Sequence, residues 1–239
     1  MVIDAGFTRA DALRIAANVL DSGKELKTIY VSQADPDYYF GVETIKEIFP
    51  TAEVVTTPAV LEKINAKLAG KIAFWGPKMG ANAPRTPVLP KAISGTTLTV
   101  DGQTVEIRGT TGPLAHRPYA WIPSIKAVVG NIGVFGTNMH VWTADTQTVA
   151  ERSAWVAQLD EMAALQPALV VPGHMPAGTA LDVSNVTYTK GYLQAFEKNA
   201  AATKTSAELI DAMKKAYPAA PMGLSLDIGA KVSKGEMKW

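Results

Sequence analysis

The sequence contains no cysteine, and this absence excludes several kinds of chemistry. Disulfide frameworks, thiolate metal sites and cysteine nucleophiles all need that residue. An excess of charge of one sign is also missing, because 23 Lys and Arg balance 22 Asp and Glu. A near-neutral chain without a basic cluster lacks the electrostatic footprint of nucleic-acid binding. No apolar run approaches the roughly 18 residues of a membrane-spanning helix, so we expect neither nucleic acid nor membrane as a partner.

Several common catalytic motifs are missing as well. The chain has no G-x-S-x-G nucleophile elbow, no G-x-x-x-x-G-K-[ST] phosphate loop, no G-x-G-x-x-G after a strand and no H-E-x-x-H. These patterns place a serine nucleophile, cradle phosphates or bind zinc. Their absence disfavours nucleotide binding and serine hydrolase chemistry.

The first residues read as the end of a strand, because Met1 leads directly into V-I-D-A-G. We therefore expect that residues upstream of Met1, including a targeting segment, are missing from this chain. As written, the chain is expected in the cytoplasm, and a removed signal segment would make it periplasmic. The lack of cysteine fits both compartments.

Alternating strands and helices dominate what is present. With 47% hydrophobic residues over 239 positions, the chain can build a substantial core. A β-α-β-α-β-α run opens the sequence, Asp101-Gly102 marks a β-hairpin, and helices follow towards the C-terminus. This order predicts an α/β fold with a single domain over residues 1–239. Within it we expect a helix from Thr57-Pro58 to Gly70, a long loop over residues 76–90, and two C-terminal helices over 186–202 and 206–217.

The most polar loop follows the strand over residues 28–32. It carries Gln33, Asp35, Asp37 and Tyr38, at a strand end where α/β proteins place their sites. Two carboxylates this close can share a cation or hold a proton between them. The alternative interpretation is an Asx-rich turn whose carboxylates cap the helix that begins near Val42.

Four further polar residues lie in or near predicted strand ends. Asn131 follows a hydrophobic strand, His174 ends the sequence V-V-P-G-H, and His116 lies in the loop before a strand. His140 is flanked by Met139 and by Val141-Trp142, so we expect it to pack in the core with one satisfied ring nitrogen.

Four segments in the same order resemble the metallo-β-lactamase superfamily. They are V-I-D-A-G, then T-I-Y-V-S with Q-A-D-P-D-Y-Y-F-G, then W-I-P-S-I-K-A-V-V-G-N, and finally V-V-P-G-H. The resemblance covers essentially the whole chain. It implies an αβ/βα four-layer sandwich that lacks the first N-terminal strands, which are expected upstream of Met1.

The chain departs from the metal motif of that superfamily. The family's His-x-His-x-Asp-His falls on Gln33, Asp35, Asp37 and Tyr38, and its bridging aspartate falls on Asn131. The histidine between these motifs has three candidates, Thr110, Thr111 and His116. A dizinc centre is therefore not expected. The resemblance leaves at most one divalent metal, Zn, Mn or Fe, with the ligands Asp35, Asp37, His116 and His174.

Two functions follow from the resemblance. The first is a divergent hydrolase in which the single metal polarises the carbonyl of an ester, lactone or amide. Alternatively, Asp37 acts as general base on water and Tyr38 donates to the oxyanion. Gln33, Asn131 and His140 would then bind the small-molecule substrate. The alternative is a catalytically inactive, metal-free protein of the same fold with a small-molecule-binding or assembly role. In either case the basic tail over residues 228–239 is a candidate contact with a second copy in a homo-oligomer.

Overall fold

The computed structural model describes residues 1–239 and divides them into two compact units. The first unit comprises residues 1–124 and 129–131, and the second comprises residues 125–128 and 132–239. The single domain predicted over residues 1–239 stays a prediction. None of the helices combines the length and the apolarity that crossing a membrane requires.

A four-stranded parallel sheet forms the centre of the first unit. Its strands lie in chain order: β1 (Val2–Ile3), β2 (Thr28–Tyr30), β3 (Glu53–Thr56) and β4 (Lys91–Ala92). Parallel strands end at the same edge of a sheet, so the segments that follow β1 and β2 meet there. The backbone N–H of Asp4 donates to the Tyr30 carbonyl at 2.9 Å, which joins the two strand ends.

Four helices of the first unit connect these strands: α1 (Arg9–Asp21), α2 (Pro36–Tyr39), α3 (Val42–Ile48) and α4 (Pro58–Met79). Helix α1 begins with a capping box, because the Thr8 and Asp11 side chains each accept from the other residue's backbone N–H. Strand residues such as Ile29 and Val54 and helix residues such as Ile45 and Ile64 share one buried apolar cluster. Burial of this cluster holds the helices against the sheet.

Helix α4 is longer than the sequence predicts. It does not end at Gly70 but continues to Met79, and one 3₁₀ turn follows over Gly80–Asn82. Ile72, Trp75 and Met79 recur at helical spacing and pack against the buried cluster. This packing outweighs the cost of about 1 kcal/mol for a glycine inside a helix. The predicted loop over residues 76–90 is therefore wrong in its first part.

Three antiparallel strands complete the first unit: β5 (Thr97–Val100), β6 (Gln103–Arg108) and β7 (Tyr119–Ile122). The predicted hairpin at Asp101-Gly102 is confirmed. Both turn residues have positive φ, 49° and 78°, as a two-residue type I′ turn requires. The turn fixes the register in which Val100 pairs with Gln103.

The second unit combines a parallel strand pair with four helices. The first two residues of β8 (Ala127–Val129) belong to this unit and pair with β9 (Leu169–Val170). The helices are α5 (Val149–Ala164), α6 (Ser184–Ala202), α7 (Ser206–Ala216) and α8 (Leu224–Ser233). Helix α7 begins with a capping box between Thr205 and Glu208. Helix α8 was not predicted, because only its packing, with Leu226 and Ala230 buried, favours a helix there.

Residues 235–239, here called the strap, follow α8 and pack on their own chain. The indole rings of Trp239 and Trp142 meet edge to face, with centroids 5.1 Å apart. Asp145 accepts from both indole N–H groups, Trp142 at 2.7 Å and Trp239 at 3.0 Å. The end of the tail over residues 228–239 thus packs on its own chain, and the contact of this tail with a second copy stays a prediction.

Candidate functional site

The polar loop after β2 comprises residues 31–40 and is here called the acidic loop. Only Asp35 and Asp37 keep exposed surface in it, and every other side chain is buried. Asp35 lies at the N-cap position of the single-turn helix α2 and makes no side-chain cap bond, and α3 has none either. The interpretation that these carboxylates cap the helix near Val42 stays a prediction. Asp35 pairs with Lys71 Nζ at 3.7 Å, on the part of α4 that sequence reasoning missed.

Asp4 anchors the start of the acidic loop, although sequence reasoning treated it only as part of a turn. It follows β1 with a left-handed φ of 65°. Its two carboxylate oxygens accept from the Ser32 backbone N–H at 2.7 Å and from the Ser32 hydroxyl at 2.8 Å. Desolvation raises the pKa of Asp4 to about 7, the charge of Asp37 adds a smaller increase, and the Ser32 bonds act in the opposite direction. The sequence does contain a pattern that indicates a role for Asp4, because V-I-D places an acidic residue at the end of a parallel strand.

Gln33 ties the acidic loop to two distant backbone segments. Its amide nitrogen donates to the Pro118 carbonyl at 2.7 Å and approaches the Gly130 carbonyl at 3.4 Å. Two carbonyl partners fix which end of the amide is the nitrogen. The side chain is fully buried and its Oε1 has no hydrogen-bond partner. The position at which the resemblance places the first ligand histidine thus holds a structural hydrogen bond.

Tyr38 makes a second bond of the same kind. Its buried hydroxyl donates to the Asn131 carbonyl at 3.1 Å. Burial raises the pKa of Tyr38 well above its usual value of 10, and Asp37, Asp4 and Asp35 add to this effect, whereas Arg117 opposes it. Tyr38 is therefore a neutral donor, and it is not a phenolate ligand.

The remaining predicted residues of the first unit lie around this loop. Asn131 is buried, and His116 is half-buried in the turn before β7. The neighbouring Arg117 is buried and contributes its positive charge near Tyr38. Hydrogen bonds thus place Gln33 against Gly130 and Tyr38 against Asn131, whereas the catalytic and substrate-binding roles of Gln33, Asp37, Tyr38 and Asn131 stay predictions.

His140 and His174 belong to the second unit. The His174 ring stacks on Phe135 with centroids 5.4 Å apart, and its carbonyl accepts from the Gly136 N–H at 2.8 Å. His140 is buried, and its Nδ1 lies 3.0 Å from the Tyr192 hydroxyl. Burial lowers the pKa of His140. The prediction that His140 packs with one satisfied nitrogen is confirmed.

The donor set does not fit a metal centre in this arrangement. No three His, Asp or Glu side chains are placed to hold a metal ion. Gln33 directs its nitrogen at carbonyl oxygens, and Tyr38 is a neutral donor. The ligand set Asp35, Asp37, His116 and His174 stays a prediction, and no chemical step is assigned to a metal here.

Solved structures identify the fold. No family model and no curated protein sequence matches the chain. A metallo-beta-lactamase from Pontibacter korlensis is similar with 18% identity and a TM-score of 0.53 over 80% of each chain. A metallo-beta-lactamase family protein from Thermus thermophilus has 16% identity and a TM-score of 0.62 over 98% of this chain and 83% of that one. A beta-lactamase domain protein from Burkholderia ambifaria has 11% identity and a TM-score of 0.65 over 97% of this chain and 74% of that one. The predicted α/β class is confirmed, and the chain has the metallo-β-lactamase fold, with most of the residues of that family's metal motif replaced.

Proposed function

We propose that this chain is a divergent hydrolase of the metallo-β-lactamase superfamily that acts on an ester, lactone or amide. Asp37 is the general base of this reaction. One observation carries the proposal: within the otherwise buried acidic loop, the carboxylates Asp35 and Asp37 are partly exposed. Carboxylates at the carboxyl ends of parallel strands are suited to moving a proton to and from a bound substrate.

The proposed reaction needs only water and the carbonyl compound. Asp37 takes a proton from water while the water oxygen bonds to the carbonyl carbon. The tetrahedral intermediate then breaks its C–O or C–N bond, and Asp37 returns the proton to the leaving oxygen or nitrogen. For Tyr38 to stabilise the oxyanion, its hydroxyl must exchange the Asn131 carbonyl for the substrate oxygen.

A second candidate is a catalytically inactive, metal-free protein that binds a small molecule. Two positions on which the resemblance places ligand histidines favour this candidate, because their residues Gln33 and Tyr38 both donate hydrogen bonds to backbone carbonyls. A side chain committed in this way loses a buried hydrogen bond if it turns towards a substrate.

Hydrolysis assays with matched carboxylate variants separate the two candidates. A panel of esters, lactones and amides is incubated with the wild type, Asp37→Asn and Asp35→Asn, with and without a chelator. The hydrolase proposal predicts turnover that the chelator leaves unchanged. It also predicts that Asp37→Asn loses about 10²-fold or more of this turnover and that Asp35→Asn loses much less.

The other outcomes of this assay decide against the proposal. Absence of turnover across the panel, with both variants folded by circular dichroism, supports the binding protein. Turnover that disappears with the chelator supports the single-metal form that the resemblance implied.

A further inference from the structure

His140 lies in a buried loop of the second unit, residues 136–148, here called the His140 loop. The loop has no regular secondary structure, yet much of it is buried. Side chains of α6 form hydrogen bonds to backbone groups of the His140 loop and of Phe135, which precedes it. The Thr189 hydroxyl accepts from the Phe135 N–H at 2.9 Å, and the Tyr188 hydroxyl donates to the Met139 carbonyl at 2.7 Å. The polar side chains on the inner face of α6 therefore stabilise this loop.

The contact between His140 and Tyr192 determines where the imidazole carries its proton. Tyr192 keeps its hydroxyl proton, because burial raises its pKa far above the usual value. Tyr192 is fully buried, and a buried hydroxyl proton needs an acceptor. His140 Nδ1, 3.0 Å away, is the acceptor within reach of the hydroxyl proton. A neutral imidazole that accepts at Nδ1 carries its own proton on Nε2.

The Nε2–H group is then a buried donor whose partner is missing from the protein. His140 is 3% exposed, and its Nε2 has no hydrogen-bond partner. The hydroxyl of Thr143, in the same loop and also 3% exposed, has none either. Buried donors are nearly always paired, because leaving one unpaired is unfavourable. Two such atoms in one loop point to a partner that is not part of the chain.

We propose that the Nε2–H group of His140 binds an oxygen acceptor, the carbonyl or carboxylate of a small molecule, which enters when the His140 loop moves. The site lies in the second unit and uses neither Asp37 nor Tyr38, the residues to which the hydrolytic step is assigned. A result that refutes ligand binding at His140 therefore does not refute the proposed hydrolase, and the reverse also holds.

Among the segments that pack against the His140 loop, we expect the strap to open most easily. Helix α8 packs closely, since a Cβ on Gly229 would lie 2.5 Å from the Thr143 hydroxyl. The strap contributes Trp239, which is 39% exposed and is held through Trp142 and Asp145. An exposed terminal contact opens at lower cost than buried packing.

Nuclear magnetic resonance of ¹⁵N-histidine-labelled protein tests the donor directly, because the chain has only three histidines. His140→Leu assigns the signal, and His140→Gln replaces it should that variant not fold. The full chain is titrated with acetate and, separately, with acetamide. We expect the proton on Nε2 and a saturable shift of its signal with at least one probe. A proton on Nδ1, or an Nε2–H signal that neither probe moves because an ordered water fills the site, overturns the proposal.

Labelling with diethyl pyrocarbonate tests the route of access. Mass spectrometry follows the modification of His140, with His116 and His174 as internal references. We expect Trp239→Ala to raise the labelling rate of His140 by about tenfold and Trp239→Phe, which keeps the ring but loses the bond to Asp145, to raise it less. An unchanged rate in both variants overturns the route through the strap.

Discussion

Removing the charge of Asp4 should change how the stability of the protein depends on pH. Asp4 has an ordinary pKa of 3.8, and desolvation in the folded state raises it to about 7. The folded state therefore binds this proton more tightly than the unfolded state does. The contribution is fully present below pH 3.8, falls as the pH rises, and is lost once the pH passes about 7.

The magnitude follows from the interval between the two pKa values. Each pH unit in this interval changes the free energy of unfolding by about 1.4 kcal/mol, which gives about 4 kcal/mol in total. Asp4 is only half-buried by surface area, so solvent screening lowers the expected change to about 2 to 4 kcal/mol. Asp4→Asn removes this titration, tolerates the left-handed backbone, and still offers an oxygen to the Ser32 N–H.

Urea unfolding of the wild type and Asp4→Asn between pH 4 and pH 8 measures this change. Groups other than Asp4 titrate in both proteins and cancel in the difference. We expect the wild type to lose about 2 to 4 kcal/mol relative to Asp4→Asn over this range. Asp21→Asn, a change of an exposed carboxylate at the end of α1, is the matched control. A difference that stays flat with pH would refute the reasoning, because Asp4 would then titrate alike in both states.

Four further predictions concern stability. Gln33→Leu should lower the free energy of unfolding by about 1 to 3 kcal/mol in urea titration, because the buried Pro118 carbonyl loses its 2.7 Å donor; an unchanged midpoint would contradict this role. Gly41→Ala should prevent normal folding, seen as loss of soluble protein or of near-UV dichroism, because its Cβ would lie 2.0 Å from a backbone oxygen. Gly70→Ala should instead raise the free energy of unfolding by about 0.5 to 1 kcal/mol, because Gly70 lies in the middle of α4 and its added Cβ would meet only open space. Thr148→Ala should lower the free energy of unfolding, measured by thermal unfolding, by about 1 kcal/mol, because α5 loses its N-cap hydrogen bond. Thr148→Ser should retain most of this stabilisation.

The elements that could be predicted from the sequence are those with a local cause. Capping boxes at Thr8 and Thr205 and the Asp101-Gly102 turn are short-range signals, and the structure contains all three. The extension of α4 beyond Gly70 and the existence of α8 depend on packing against distant residues. Local propensity therefore predicted neither of them.

The candidate site shows the same division. The rule that polar groups gather at parallel strand ends was enough to find Asp35 and Asp37. The role of Gln33 was not predictable, because its carbonyl partners Pro118 and Gly130 lie 85 and 97 residues away in the sequence. No local pattern records such a bond.

The central proposal is that this chain hydrolyses its substrate through Asp37 of the acidic loop and needs no bound metal for it. Plasma mass spectrometry measures it most directly, on untagged protein purified without chelator and dialysed against zinc, manganese and iron. The account predicts metal far below one ion per chain, in the wild type and in Asp37→Asn alike. About one ion per chain in the wild type that is lost in Asp37→Asn would contradict it.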